Sequence, residues 1–415
     1  MATITGGGSN INLSLGSSES GSVAASVIGS INALLASGAL TRTASPTVAP
    51  GAGQGLAQII APGAYALPAA DTGLIVSAGT PSATVTGSSG TGNLVLVDTT
   101  VGMAGSPFVF NTNGGSGTIA TGDGTNLIGT STVPGSGSYS IQTGSGNDTV
   151  LAFSGNNTVA AGGGNNVIGT GTAGTTSNDL VFAAGNDTIS GIGGKGTDVV
   201  IAGGGNVFVT PGSKNLTFLG TTGAATIIGG LGSEFVSLGR GGGQAGAGSA
   251  GPNILLGGTG AAGSTLFGGA NGDLMFARGS GQTVLVAGVG NETLSGSGST
   301  GNNVFFTGPG NALIGGGSGN DLIVVGASGN STIDGGAGAD IINFTNRTGG
   351  STANVLINGF RPAEGDRIQL IGYGSNQVGA IVGTTPSASS TSVTLTDGTK
   401  ITFAGVTNLA SSNFV

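Results

Sequence analysis

Cysteine, histidine and tryptophan are absent from this 415-residue chain, and only 6% of its residues are charged. Without histidine or cysteine there is no Ser-His-Asp triad, no cysteine nucleophile and no ordinary zinc or haem site. Disulfide stapling is also excluded, so a form of the chain living outside the cell needs another stabiliser. Nine Lys and Arg stand singly against seventeen Asp and Glu, a net charge of −8, and leave no basic face for nucleic acid or anionic lipid. No apolar run approaches the ~20 residues of a membrane span. The first residues, MATITGGGSNINLSLGSSES, lack the positive region and apolar run of a cleaved export signal, so export would depend on a signal elsewhere in the chain.

What is present is glycine, 91 residues of it, together with 37% hydrophobic residues and a mean hydropathy of +0.32. Disordered glycine-rich chains are usually poor in apolar residues, so this chain has surface to bury and its glycines serve turns at short intervals. Short β-branched clusters recur every nine to eleven residues, from about Ile75 to Ile342, separated by Gly, Asn, Ser and Thr. A strand of three or four residues with a turn of about five can bury its apolar side chain only against units stacked above and below it. That is the condition for a solenoid. Two such units make one coil, and Gly171 to Ser177 and Gly239 to Pro252 read as insertions that protrude as loops.

Several turns follow the pattern G-G-x-G-x-D-x-U-x, with U a large apolar residue: GGKGTDVVI from Gly193, GGSGNDLIV from Gly316 and GGAGADIIN from Gly335. TGSGNDTVL from Thr143 differs at one position, and GGANGDLMF from Gly268 and AGVGNETLS from Ala287 are looser copies. Eight acidic residues occupy the sixth position, here called the slot: Asp148, Asp179, Asp187, Asp198, Asp273, Glu292, Asp321 and Asp340. Inward-turned carbonyls plus a carboxylate form the all-oxygen shell that Ca²⁺ prefers. These motifs resemble the RTX calcium-binding repeats over roughly residues 120 to 345. The resemblance implies an all-β, right-handed parallel β-solenoid, a β-roll, with calcium between turns one coil apart. Asp179 with Asp198, Asp273 with Glu292, and Asp321 with Asp340 are such pairs. Other copies carry Asn126, Asn157, Asn166, Asn303, Ala312 or Ser331 at the slot, and their turns are expected to be held by asparagine ladders without metal. From about Val207 to Phe267 the period persists without aspartates and reads as solenoid without calcium.

At the ends the pattern changes. Val23, Val27, Ile28, Ile31, Leu34 and Leu35 share one helical face between Ser22 and Ser37, predicting an amphipathic helix that caps the first coil or docks on a neighbouring subunit. The expected organisation is an N-terminal segment over 1–45, a proline- and alanine-rich connector over 46–73, the solenoid over 74–345, and a C-terminal β cap with a secretion region over 346–415. FRPAEGDRIQLIGYG from Phe360 and VTLTDGTKITFAGV from Val393 resemble the end of RTX exoproteins, with Asp397-Gly398 as a two-residue hairpin turn. The last residues, Asn413, Phe414 and Val415, are similar to uncleaved type I secretion signals. Glu364 and Asp366 read as turn residues of the cap rather than an acid–base pair.

Three functions follow as expectations. The first is a secreted, non-enzymatic bacterial protein that folds with calcium and self-assembles into a surface layer, filament or extracellular matrix. Its partners would be copies of itself and cell-surface polysaccharide. The second is an adhesin or a carbohydrate- or ice-binding solenoid, which needs flat ranks of threonine. Thr149, Thr158, Thr188, Thr293 and Thr332 follow the slot, but other coils carry Val or Leu there. The third, an exoenzyme, needs a catalytic domain, and Glu19 is the only carboxylate before Asp71. Sequons at Asn147, Asn186 and Asn291 are by-products of the repeat.

Overall fold

The computed structural model describes all residues except 1, 6–9, 17–21, 51–52, 78–79, 81, 103–106, 131, 133–136, 270, 327, 347–348 and 375–379. The chain divides into two compact units, Met1–Thr217 and Phe218–Val415. Each is a parallel β-solenoid in which successive strands alternate between two sheets and pair with strands one coil away.

In the first unit, Ile119, Ile141, Val159, Val181 and Val200 stand directly above one another in one sheet, and none is exposed. Phe110, Ile128, Val150, Ile168, Ile189 and Val209 form the facing column. These stacked side chains fill the core, and burying each contributes roughly 1.5–3 kcal/mol. β-branched residues suit these positions because they pack on a pleated surface at small entropic cost.

The predicted helix spans Ser22–Ser37 and ends at Gly38, whose φ of 75° an L side chain rarely adopts. It does not close the end of a coil. It lies on the outer side of a sheet, where Ala24, Val27, Ile31 and Leu35 pack with Leu56, Ile75, Leu96 and Ala120. Ile75, Leu96 and Ala120 are register partners on successive coils. Strand Gly73–Val76 is consequently buried on both sides. A helix 16 residues long spans several coils side-on but has no matching surface over a single coil's end.

The ladder also reaches back further than expected. Gln54–Ile59 and Gly63–Ala66, inside the stretch that reads as connector, and Leu40–Arg42, inside the N-terminal segment, pair in parallel with following strands. Proline and alanine weaken strand propensity there, but hydrogen bonds from the next coil supply what propensity does not. The expected loop Gly171 to Ser177 exposes Ala173, Gly174 and Thr176 but not its other residues. Thr175 and Ser177 are buried, and Thr176 bridges Lys195.

In the second unit the inward columns are Leu266, Leu285, Phe305, Ile323, Ile342 and Ile368 in one sheet and Leu255, Met275, Leu294, Ile314, Ile333 and Ile357 in the other. The second expected loop, Gly239 to Pro252, contains a regular rung. Gly243–Gly246 pairs with Ala225–Ile227 and Ser264–Phe267, and Ala245 points inward at 0% exposure. Its composition, Gly-Gln-Ala-Gly, carries no strand signal, so neighbours on both sides impose the conformation.

After Asn354–Asn358 and Arg367–Ile371 complete another coil, three antiparallel strands, Ile381–Pro386, Ser390–Leu395 and Lys400–Ala404, form the β cap. The Asp397-Gly398 turn joins the last two, and Lys400–Ala404 covers the edge of Asn354–Asn358. On the other sheet the tail does the same: Phe414 bridges Ile368, and Val415 N donates to Ile368 O at 2.8 Å. An edge left open would expose unpaired backbone groups to other chains.

Coils stack so closely that many turn glycines have no room for a side chain. A Cβ on Gly310 would lie 2.0 Å from the Gly290 carbonyl oxygen, whereas one on Gly315 meets nothing within 4 Å. Gly310→Ala is therefore expected to cost about 1–3 kcal/mol through forced backbone movement, and Gly315→Ala to cost little. Urea unfolding of the two variants checks this; equal midpoints would contradict the close-stacking account.

Candidate calcium sites in the turns

Each slot residue stands just ahead of or at the start of a strand. All eight carboxylates predicted for the slot occupy it, and all are buried, the most accessible being Glu292 at 3%. Along the slot columns aspartate and asparagine side chains accept the backbone N–H of the slot residue one coil earlier, whereas Glu292 Oε2 accepts Gly288 N of its own turn at 2.7 Å. Asn126 N donates to Asp148 Oδ1 at 2.9 Å, Asp148 N to Asn166 Oδ1 at 2.9 Å, and Asn166 N to Asp187 Oδ1 at 3.1 Å. A second column in that unit runs from Asn157 N to Asp179 Oδ1 (2.9 Å) and from Asp179 N to Asp198 Oδ1 (3.2 Å). In the second unit the chains of donors are Glu234, Asn253 and Asp273 on one edge (2.8 Å each) and Asn303, Asp321, Asp340 and Asp366 on the other (2.6–3.1 Å).

An asparagine in the slot closes its own turn. Asn126 Nδ2 donates to Gly124 O at 2.7 Å, Asn253 Nδ2 to Gly248 O at 3.0 Å and Asn303 Nδ2 to Gly301 O at 3.0 Å. This is the ladder expected of the asparagine copies. A second, exposed ladder runs beside it through Asn147, Asn165, Asn186 and Asn206, and another through Asn271, Asn291, Asn311 and Asn330. The amides of the three sequon residues are engaged in these ladders.

An aspartate presents an oxygen where asparagine presents N–H, and the eight carboxylates separate by what meets that second oxygen. Asp187 Oδ2 accepts Gly185 N at 3.2 Å and Asp273 Oδ2 accepts Gly269 N at 2.7 Å. Asp179 Oδ2 accepts Ser177 Oγ at 3.0 Å and pairs with Lys214 Nζ at 2.9 Å. Asp198 pairs with the same ammonium through Oδ1 and accepts Thr170 Oγ1 through Oδ2. By contrast Asp148 Oδ2, Glu292 Oε1, Asp321 Oδ2 and Asp340 Oδ2 are buried and accept no hydrogen bond among the described residues. A buried charged oxygen without a partner is costly unless a cation meets it.

The surroundings of these oxygens suit a hard cation. A Cβ on Gly316 would fall 1.9 Å from Gly335 O and 2.6 Å from Asp321 Oδ2, and one on Gly288 would fall 2.8 Å from Glu292 Oε1 and 2.9 Å from Gly268 O. Carboxylate and carbonyl oxygens thus gather around single points, the donor set calcium takes. Among the described residues no three carboxylates gather at one point, so backbone carbonyls would complete the shell. Without a cation, burial pushes Asp321 up to about 6 and Asp340 up to about 7, the latter also through repulsion from Asp366 and Asp321. Burial raises Asp148 and Glu292 as well.

Two slot carboxylates escape the sequence reading. Glu234 lies in the segment expected to lack calcium. Its Oε1 accepts Gly230 N at 2.6 Å, its Oε2 accepts nothing, and burial raises it to about 7. The signal was Gly232-Ser233-Glu234-Phe235-Val236, the G-x-D-x-U pattern with glutamate for aspartate. Asp366, read as a cap turn residue, extends the Asp321–Asp340 column. A longer insertion ahead of it breaks the spacing, although Asp366-Arg367-Ile368 retains D-x-U.

A family model for the RTX calcium-binding nonapeptide repeat matches four copies, over residues 135–168, 286–323 and 323–345. No curated protein sequence matches the chain. The matched segments contain Asp148, Glu292, Asp321 and Asp340, the same four predicted carboxylates that keep an unpaired oxygen. Asp179, Asp187, Asp198 and Asp273, satisfied from within the protein, lie outside them. A parallel solenoid whose turns offer buried carboxylate and carbonyl oxygens to a cation is a calcium β-roll. These segments are RTX-type repeats, of the kind that bind Ca²⁺.

Asp340→Asn, which keeps Oδ1 for the Asp321 amide, is expected to lower the number of calcium ions bound per chain, while Asp187→Asn leaves it unchanged. Equilibrium dialysis with radioactive calcium distinguishes them, and identical counts would refute the partition by unpaired oxygens. The raised carboxyls also set a pH dependence. Their contribution to stability in calcium-stripped protein is fully present below about 4, the unfolded carboxylate range, and is lost as pH rises through about 6 to 7. The melting temperature of stripped protein should therefore fall from pH 4 to 8 and become nearly level with saturating calcium. A rise over that interval in stripped protein would be incompatible with this reading.

Proposed function

We propose that this chain is a secreted, non-enzymatic structural protein that folds where calcium is plentiful and assembles with copies of itself into a surface layer, filament or extracellular matrix. The observation that carries this is one outer face of the Phe218–Val415 unit. Phe267, Val286, Phe306 and Val324 form one outward row across four coils, and Thr265, Val284, Val304, Leu322 and Ile341 form the row beside it. Phe267, Phe306 and Ile341 are 44%, 36% and 37% exposed. No charge interrupts the two rows. An apolar, regularly ridged, uncharged face is complementary to another like itself, and lacks the charges that would select a different partner.

Export fits the same scheme. Calcium-dependent turns leave the repeats that carry them unfolded where the ion is scarce and order them outside. The likeness of the C-terminal phrase and tail to type I secretion substrates supplies the route, and no helix among the described residues is long and apolar enough to cross a membrane. The competing reading, a ligand-binding face of threonines, is weakened by the register. Thr293 and Thr332 are separated by Leu313 in one row, and Thr149 and Thr188 by Val167 in another.

Negative-stain electron microscopy with millimolar calcium is expected to reveal regular fibres or lattices that disperse on chelation. Phe306→Glu should give dispersed particles with wild-type circular dichroism in calcium. Dispersed wild-type particles under both conditions would sink the assembly reading.

A further inference from the structure

Lys214 is one of only nine cationic side chains, and none of it is exposed. Its stem passes Gly171, where an added Cβ would lie 3.5 Å from Lys214 Cδ. Its ammonium donates to Ser177 Oγ at 3.0 Å and Asp179 Oδ2 at 2.9 Å and pairs with Asp198. Three N–H groups thus meet three acceptors, all buried. Asp179 and Asp198 stand one coil apart and are one of the pairs that the repeat pattern nominates for calcium. The insertion Gly171 to Ser177 folds inward to supply Ser177, the third acceptor.

We propose that the Lys214 ammonium is the resident cation of the Asp179–Asp198 turn, excluding calcium from it and holding these coils together without metal. A divalent ion in the same place would have to displace the ammonium, whose removal into solvent the buried stem opposes, and would face its positive charge. GGKGTDVVI is then a nonapeptide match whose place for calcium is filled from within the chain. A related device operates in the second unit. Arg278 donates from Nε to Gly257 O at 2.8 Å and from Nη2 to Leu238 O at 3.0 Å and Ser237 Oγ at 3.1 Å, drawing carbonyls from two earlier coils onto one guanidinium.

The proposal rests on the calcium reading of the matched repeats, and hydrogen exchange by mass spectrometry on the full chain tests the two separately. On removal of calcium, amides in 286–345 should exchange ~100-fold faster or more, while those in 167–210 stay within about threefold of their calcium-loaded rates. Lys214→Met should make 167–210 lose protection in stripped protein, regain it with millimolar calcium, and bind one additional calcium ion per chain. Lys214→Met combined with Asp198→Asn, which removes one negative charge along with the positive one, should leave the calcium count at the wild-type value. Wild-type loss of protection in 167–210 on stripping overturns the proposal, as does a Lys214→Met chain with unchanged calcium count and no recovery in calcium. Absence of any calcium response in 286–345 overturns the calcium reading beneath it, and this proposal with it.

Discussion

The structure depends on one buried hydrogen bond repeated coil after coil: the backbone N–H of a slot residue donating to the slot side chain of the next coil. At a turn the ladder of strand hydrogen bonds stops, and an amide buried there without an acceptor would cost about 1–3 kcal/mol. Asparagine or aspartate at the slot supplies the oxygen. Close approach of the coils is a condition of that bond, and the glycines follow from it, since a side chain in the turn would strike the carbonyl of the adjacent coil.

Accepting that N–H uses one oxygen and leaves the other half of the side chain to answer the inward carbonyls. Three solutions coexist in this chain. Asparagine turns its own N–H₂ toward the carbonyls. Some acidic slots, such as Asp187 and Asp273, take a nearby backbone N–H instead. Others need a positive charge, which is Lys214 at Asp179 and Asp198 and, at Asp148, Glu292, Asp321 and Asp340, matches the chemistry of a calcium ion. Metal dependence is therefore graded along the chain rather than uniform.

The same economy of charge shapes the surface. With so few ionic side chains, the outer sides of the sheets are left to residues such as Val, Leu, Phe and Thr. One such side in the first unit is covered by the helix Ser22–Ser37, and the strands beneath it are apolar on both sides. The rows around Phe267 and Phe306 carry a comparable apolar side, and among the described residues their own unit has no α-helix to cover it.

The sequence by itself determined the period, the parallel coil, the helix, the C-terminal hairpin and the slot with its eight carboxylates, because each is written in local alternation, turn residues or motif spacing. Tertiary structure decided the rest. Gly243–Gly246 and Gln54–Ile59 are strands because flanking rungs bind them, not because their residues favour it. The helix lies along a sheet because successive coils there present one continuous apolar row to it. Asp366 joins its column across an irregular insertion. Above all, the occupant of each turn was illegible: Lys214 meets Asp179 from 35 residues away in sequence, and only the stacking of coils brings that ammonium, rather than a metal ion, to the paired carboxylates.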